Sequence, residues 1–250
     1  MLGKKSFLLG SAPLLLSAAL LATPAFAAGM NNTMNSTKSN GATMGAAATN
    51  APNNQQASKK DARDLVNKAV AEVKKMEKDP KLKGLMAKAK GIYLVPEFGR
   101  GALIVGGRGG AGVVLAHVNG KWTDPAFYDF GAISVGAQAG ASGGQVAFLL
   151  MNQNAVDAFK SGNKVSLNAG AGLSIVTYSA NGQASWGKGD IVMWSDTAGA
   201  YAGATVSVTD LNWSDTNNQA YYGRKLEPSA ILAGRVTTPD AAKLKEALPG

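Results

Sequence analysis

The chain has 250 residues, a formal net charge of +9, one histidine and no cysteine. Those counts exclude a disulfide framework, a thiolate metal site, a thiol nucleophile and a multi-histidine metal centre. Charged residues make up only 16% against 46% apolar, and glycine reaches 31, a composition that suits an ordered, closely packed core rather than a disordered polyelectrolyte.

Lys4 and Lys5 precede an uncharged apolar run, Phe7–Ala22, and then Ala25-Phe26-Ala27. A basic start, a short apolar stretch and an A-x-A site together read as a secretory signal peptide over 1–27. The run is short for a membrane span of about 20 residues. The expected location is therefore exported: periplasmic or secreted, and peripherally membrane-associated. Residues 28–58 are Asn, Ala, Thr, Ser, Gly and Gln with one charge, Lys38. They offer little apolar surface to offset ordering entropy, so a disordered linker is expected there and the folded domain over 59–250.

Lys59–Lys78 predicts a helix, with Ala62, Leu65, Val66, Ala69, Val70, Val73 and Met76 on one stripe. That is the i, i+3, i+4, i+7 spacing of an amphipathic helix. Lys60, Arg63, Lys68, Lys74, Lys75 and Lys78 fall on the other side. Asp79-Pro80 breaks the pattern, and Lys81–Ala89 predicts a second short helix. From Gly91 the texture becomes β-like. Strands are predicted at Ile92–Val95, Ala102–Val105, Gly112–Val118, Val146–Met151, Ile191–Trp194 and Ala200–Val208. Long small-and-branched runs occupy Phe127–Ala141 and Val165–Tyr178, and Asn119-Gly120 is a hairpin turn pair. Asn154–Lys160 predicts a helix capped by Asn152 or Asn154. Helical turns are predicted at Gln219–Gly223 and Pro228–Leu232, and a last helix at Pro239–Leu248 with Thr238 as its cap. The expected fold class is α+β: N-terminal helices on a curved, largely antiparallel Gly/Ala-rich sheet, closed by a C-terminal helix.

Charge is unevenly placed. Residues 59–90 hold 11 Lys/Arg against 5 Asp/Glu, while residues 91–250 hold 11 of each. A basic helical segment on a neutral body points to an anionic partner, either a phospholipid surface or an acidic protein or polysaccharide. Nucleic acid is not expected, because no basic stretch is interleaved with aromatics.

Two enzyme-like patterns fail on context. Gly107–Gly112 satisfies G-x-G-x-x-G, but a strand-like run follows where a dinucleotide site needs a helix. Gly140-Ala-Ser142-Gly-Gly144 satisfies G-x-S-x-G, but no helix and no histidine follow it. Glu97, Asp124 and Asp129 have no fixed separation, and Trp122, Trp186, Trp194 and Trp213 read as core or rim. No catalytic residue, metal or cofactor is expected.

Several pieces carry a resemblance in order: Ala89-Lys-Gly-Ile92, the glycine-rich Gly106–Ala116, Trp122-Thr-Asp-Pro-Ala-Phe-Tyr128, Ser134–Gly140, Val146–Phe159, Ala200-Tyr-Ala-Gly203 and Ala220-Tyr-Tyr-Gly223. Over about 60–250 the chain resembles the SYLF family of lipid-binding domains, whose fungal members are described as actin-binding. The resemblance implies a non-enzymatic domain that binds phospholipid, with a basic N-terminal helix implicated in some members. The expected lipid-binding residues are Lys60, Arg63, Lys68, Lys74, Lys75 and Lys78, with Arg108 added from the glycine-rich turn.

Overall fold

The computed structural model of the chain describes residues 54–99, 110–135, 144–178, 189–197 and 206–250. The signal-peptide reading, most of the linker, Arg108, Ser142, Trp186 and the strand predicted at Ala102–Val105 lie outside these residues.

The apolar stripe forms the helix that its spacing dictates: α1, Asn54–Met76. Ala62, Val66, Ala69, Val73 and Met76 are all buried. Asp79 ends one helix and starts the next. Its side chain accepts hydrogen bonds from the backbone N–H groups of Lys81 and Leu82, and Pro80 occupies the first position of α2, Pro80–Lys88. Both devices are standard at helix starts.

Among the described residues the body is a ten-stranded sheet. Its strands are β1 (Gly91–Phe98), β2 (Gly110–Val118), β3 (Lys121–Trp122), β4 (Ala126–Phe130), β5 (Ala132–Val135), β6 (Gly144–Leu150), β7 (Lys164–Leu167), β8 (Ile175–Thr177), β9 (Ile191–Ser195) and β10 (Val206–Trp213). The order runs β5-β10-β4-β2-β1-β6-β9-β8, with β3 added to β2 and β7 to β10. The pairs are antiparallel except β8 with β9. Asn119 and Gly120 carry φ of 51° and 74° in the β2–β3 hairpin, the doubly left-handed geometry of a type I′ turn.

Alternation along each strand divides the interior into two cores. Tyr93, Val95, Val114, Tyr128, Phe130, Phe148, Ile191 and Met193 line one face, the inner one, against Val156 and Phe159 of α3 (Gln153–Lys160) and Ile231 and Leu232 of α5 (Pro228–Leu232). Ile92, Leu94, Val113, Leu115, Phe127, Ala147, Leu149, Val192 and Trp194 face the other way. They pack against α1, α2, Tyr221 of α4 (Asp215–Tyr222) and Leu244 of α6 (Ala242–Ala247). The fold is α+β, as expected, with N-terminal helices and a C-terminal helix on an antiparallel-dominated sheet.

Several predicted elements differ in detail: the described part of the run Phe127–Ala141 is divided between β4 and β5, and the turn predicted at Gln219–Gly223 is the longer helix α4. The run Val165–Tyr178 is two strands, β7 and β8, separated by a 3-10 turn at Ala169–Ala171 whose start is capped by Asn168. The strand predicted at Ala200–Val208 is found at Val206–Trp213, with 200–205 outside the described residues. The terminal helix opens as a 3-10 turn at Pro239–Ala241, capped by Thr238, before α6. Asn152, rather than Asn154, caps α3. Its amide also donates to Asp190, whose second carboxylate oxygen accepts from the Ser174 N–H and hydroxyl. These bonds hold the Asp190 carboxyl below the usual carboxylate range.

Candidate functional site

The basic segment is a long helix laid across the outer face of the sheet and cross-linked to it. Arg63 donates through Nε and Nη2 to Asp240 at 3.0 and 2.9 Å. Lys68 Nζ lies 2.7 Å from Glu97 at the end of β1. Lys75 Nζ lies 2.9 Å from Asp196 at the end of β9. Asp196 also accepts the Gln145 N–H at 2.9 Å, so one carboxylate ties α1 to two strands.

These three cations flank the apolar stripe. Lys60 and Lys74 also lie off the stripe, and Lys78 follows in the turn after α1. Lys60 reaches only Asp64 on its own helix, at 4.0 Å. Lys74 and Lys78 have no acidic partner among the described residues. The same holds for Lys88 and Lys90 on or beside α2, both exposed, while Lys81 interacts with Asp79 and Lys83 pairs with Glu77 at 3.1 Å. The structure thus divides the six cations: Arg63, Lys68 and Lys75 are taken by ion pairs to the body, Lys60 reaches Asp64, and Lys74 and Lys78 have no acidic partner among the described residues, as is also true of Lys121, Arg224, Lys225, Arg235 and Lys243 elsewhere on the surface. Arg108 lies outside the described residues.

The corner carrying Lys74, Lys78 and α2 is held in place by Asp79. One carboxylate oxygen caps α2, and the other accepts the Tyr178 hydroxyl beyond β8. The tyrosine bond, first, holds the Asp79 carboxyl below its usual range. Burial and the adjacent carboxylate push the Tyr178 phenol up. Asp79→Ala is expected to cost about 1–2 kcal/mol through the lost cap and the orphaned tyrosine, readable as a lower denaturant midpoint with an unchanged slope.

The carboxylates considered as catalytic do other work. Asp124 is buried and accepts Lys245 Nζ at 2.5 Å and the Thr238 N–H at 2.5 Å. Glu97 holds Lys68, and Asp129 lies on β4 opposite Asn212 of β10. Trp122 donates to the Pro249 carbonyl at 2.9 Å and Trp213 to Asp215 at 3.1 Å. Gly144, closing the G-x-S-x-G pattern, opens strand β6, and Gly110–Val118 after the G-x-G-x-x-G pattern is strand β2. Neither pattern has the helix its chemistry requires. Among the described residues no group of three or more His, Asp or Glu is placed to hold a metal ion. None of their helices is long and apolar enough to cross a membrane.

One residue escapes a reading of the sequence. Glu72 is fully buried on α1, and neither carboxylate oxygen has a hydrogen-bond partner. Burial, and then Asp196, pushes its carboxyl well above the usual range, against the opposing effect of Lys75. Its only signal in the sequence is position, beside Leu65 at the edge of the stripe. Asp79 and Tyr178 are equally unreadable as partners, being 99 residues apart.

With this geometry established, similarity to known proteins is informative. A family model described as "Ysc84: Las17-binding protein actin regulator" matches residues 131–249, a span that takes in β5–β10 and α3–α6 and leaves α1 and α2 outside. Protein YSC84 of Saccharomyces cerevisiae is 27% identical over 165 residues, covering 63% of this chain and 35% of the relative. LAS seventeen-binding protein 3 of the same species is 27% identical over 164 residues, 63% of this chain and 35% of the relative. SH3 domain-containing YSC84-like protein 1 of Bos taurus is 26% identical over 163 residues, 64% of this chain and 48% of the relative. The chain thus spans between about a third and a half of the length of these relatives. The chain is thus similar, over residues 131–249, to the Ysc84, or SYLF, family model, and it is similar to relatives from both fungi and vertebrates.

Proposed function

We propose that this domain is a non-enzymatic module of the bacterial envelope that binds anionic phospholipid surfaces through its N-terminal helices. The observation that supports it most is the separation of charge. Lys74, Lys78, Lys88 and Lys90 are exposed cations with no acidic partner among the described residues, clustered beside Lys81 in a segment whose net charge is positive, while residues 91–250 hold equal numbers of basic and acidic residues. Such a cluster is attracted to an anionic bilayer by about 1 kcal/mol per Lys. The apolar stripe of α1 is committed to the sheet, so capture is electrostatic and reversible, and it weakens with salt. The leader at 1–27 supports an exported, peripherally membrane-associated location.

The test is co-sedimentation of residues 28–250 with neutral and anionic phosphatidylglycerol-containing vesicles across a salt series. Binding to anionic vesicles only, weakening with salt, is the expected result. Lys74→Glu with Lys78→Glu is expected to lower affinity about 30-fold or more, taking two charges at about 1 kcal/mol each. Lys75→Ala is expected to change it less, because that charge is already opposed by Asp196. Unchanged binding in the double variant would refute the assignment.

A second reading is favoured by the relatives themselves, whose names and family description include Las17 binding and actin regulation. In it the same lysines engage an acidic protein or polysaccharide of the envelope. Capture of such a partner at low salt, by a protein that ignores vesicles, would select it.

A further inference from the structure

Among the described residues, Glu72, His117, Thr177 and Tyr221 carry buried side-chain atoms without a hydrogen-bond partner. Only Glu72 is a carboxyl, and only Glu72 lies on the helix that bears the basic face. A buried carboxylate with no donor is far more costly than a buried carboxylic acid.

We propose that Glu72 is a protonation latch on α1: neutral, it lets the helix lie against the sheet, and ionised, it loosens it. The geometry concentrates the effect on that helix. Glu72 sits among Ala69, Val73 and Met76, the residues that α1 buries. Beside it, the Lys75–Asp196 pair is one of the three cross-links that hold α1 to the body.

The groups facing Glu72 do not relieve its charge. From β9 comes Asp196, a like charge, and from its own helix Lys75, which Asp196 already engages. On β1 the buried Tyr93 phenol belongs to the core on the opposite face of the sheet, and its ionisation is suppressed first by burial and then by Asp129, with Glu72 a smaller contributor. Tyr93 donates its hydroxyl to the Tyr128 carbonyl at 3.2 Å and so is turned elsewhere. Glu97 of β1 is taken by Lys68. β2 offers Val113 and Leu115 to this core, and its one titratable side chain, His117, stacks on Trp122 at the other end of the strand. From α4 comes Tyr221, whose phenol is pushed up first by burial and then by Asp240 and Asp124 and whose hydroxyl makes no hydrogen bond to Glu72. Asp240, ahead of α6, is engaged by Arg63.

The sign follows from linkage. The docked helix binds the Glu72 proton more tightly than the undocked one. Docking is therefore strongest below the ordinary glutamate range and weakens as pH rises toward the elevated value of the docked state. Undocking frees Val66, Val73 and Met76 on the same segment as Lys74 and Lys78, which makes an amphipathic pairing. The consequence at a bilayer rests on the membrane reading above, whereas the latch itself does not.

The experiment is hydrogen exchange of the folded protein from pH 5 to pH 8 without vesicles, corrected for intrinsic rates. It compares a peptide from 59–76 with one from 144–150, in wild type and in Glu72→Gln. In wild type the opening of the α1 peptide is expected to rise by up to about tenfold per pH unit, the limit for one proton. The strand peptide is expected to rise less, and the α1 profile of Glu72→Gln to be flat. No pH slope in wild-type α1, the same slope in Glu72→Gln, or parallel loss of protection in both peptides would overturn the latch. The vesicle assay of Lys74→Glu with Lys78→Glu is independent of all of these outcomes, so failure of the membrane reading is separately visible.

Discussion

Asp124→Ala is expected to destabilise the domain by about 3–5 kcal/mol, the range for breaking a buried charge pair by removing one partner. For a domain of this size that corresponds to a fall of roughly 10 °C in Tm. Asp124 is 1% exposed and holds the C-terminal segment at two points, through Lys245 and through the Thr238 N–H that precedes the last helical turn. Trp122, two residues away, adds a third point at the Pro249 carbonyl. Removing the carboxylate leaves a half-buried ammonium and a backbone donor without their acceptor. The segment that carries Leu244 and Leu248 over the outer core then loses its anchor. Lys245→Met is expected to cost clearly less than Asp124→Ala, because Asp124 keeps the Thr238 N–H and the new side chain retains most of the packing. Paired thermal melts decide it: equal losses in the two variants would show that the carboxylate has no role beyond its partner.

The second large effect is expected at Gly112. A Cβ there would lie 2.5 Å from the Leu94 carbonyl oxygen and 2.6 Å from Cε2 of Tyr93. Neither neighbour can yield cheaply. The Leu94 carbonyl belongs to β1, which pairs with β2, and the Tyr93 ring is fully buried and packed against Phe130, Phe148 and Phe159. Gly112→Ala is expected to cost about 3 kcal/mol, at the upper end for overpacking a filled core. Gly120→Ala meets nothing within 4 Å, but its φ of +74° makes it strained as well, by a different route. A denaturant midpoint for Gly112→Ala within error of wild type would show that the sheet accommodates the methyl by shifting register.

Gly112 also shows what the glycine-rich signature is for. As a pattern it matches a phosphate-binding turn, yet a strand follows it. The missing side chain makes room for a tyrosine ring rather than for a pyrophosphate. The pattern is readable in the sequence, but its purpose depends on which residue the neighbouring strand presents. The run Val165–Tyr178 carries the same lesson. Its uniform texture of small and branched residues does not reveal that Asn168 caps a 3-10 turn and splits it into strands that lie far apart in the sheet order.

The basic helix was legible in more depth. Its apolar stripe is the buried face, and the cations lie off that stripe, because both follow from a period of 3.6 residues. What periodicity cannot supply is the partner of each cation. Asp240, Glu97 and Asp196 stand 177, 29 and 121 residues from Arg63, Lys68 and Lys75. No local rule distinguishes those cations from Lys74 and Lys78.

By itself, then, the sequence determined the elements whose causes are local: helices from spacing and caps, the hairpin from Asn-Gly, strands from apolar alternation, and the concentration of positive charge in one segment. Tertiary structure alone decided which cations remain unneutralised, which glycine lies under a tyrosine ring, and that Glu72 is sealed without a donor. Desolvation and pairing depend on what the fold brings within a few ångströms, and residues distant along the chain supply it.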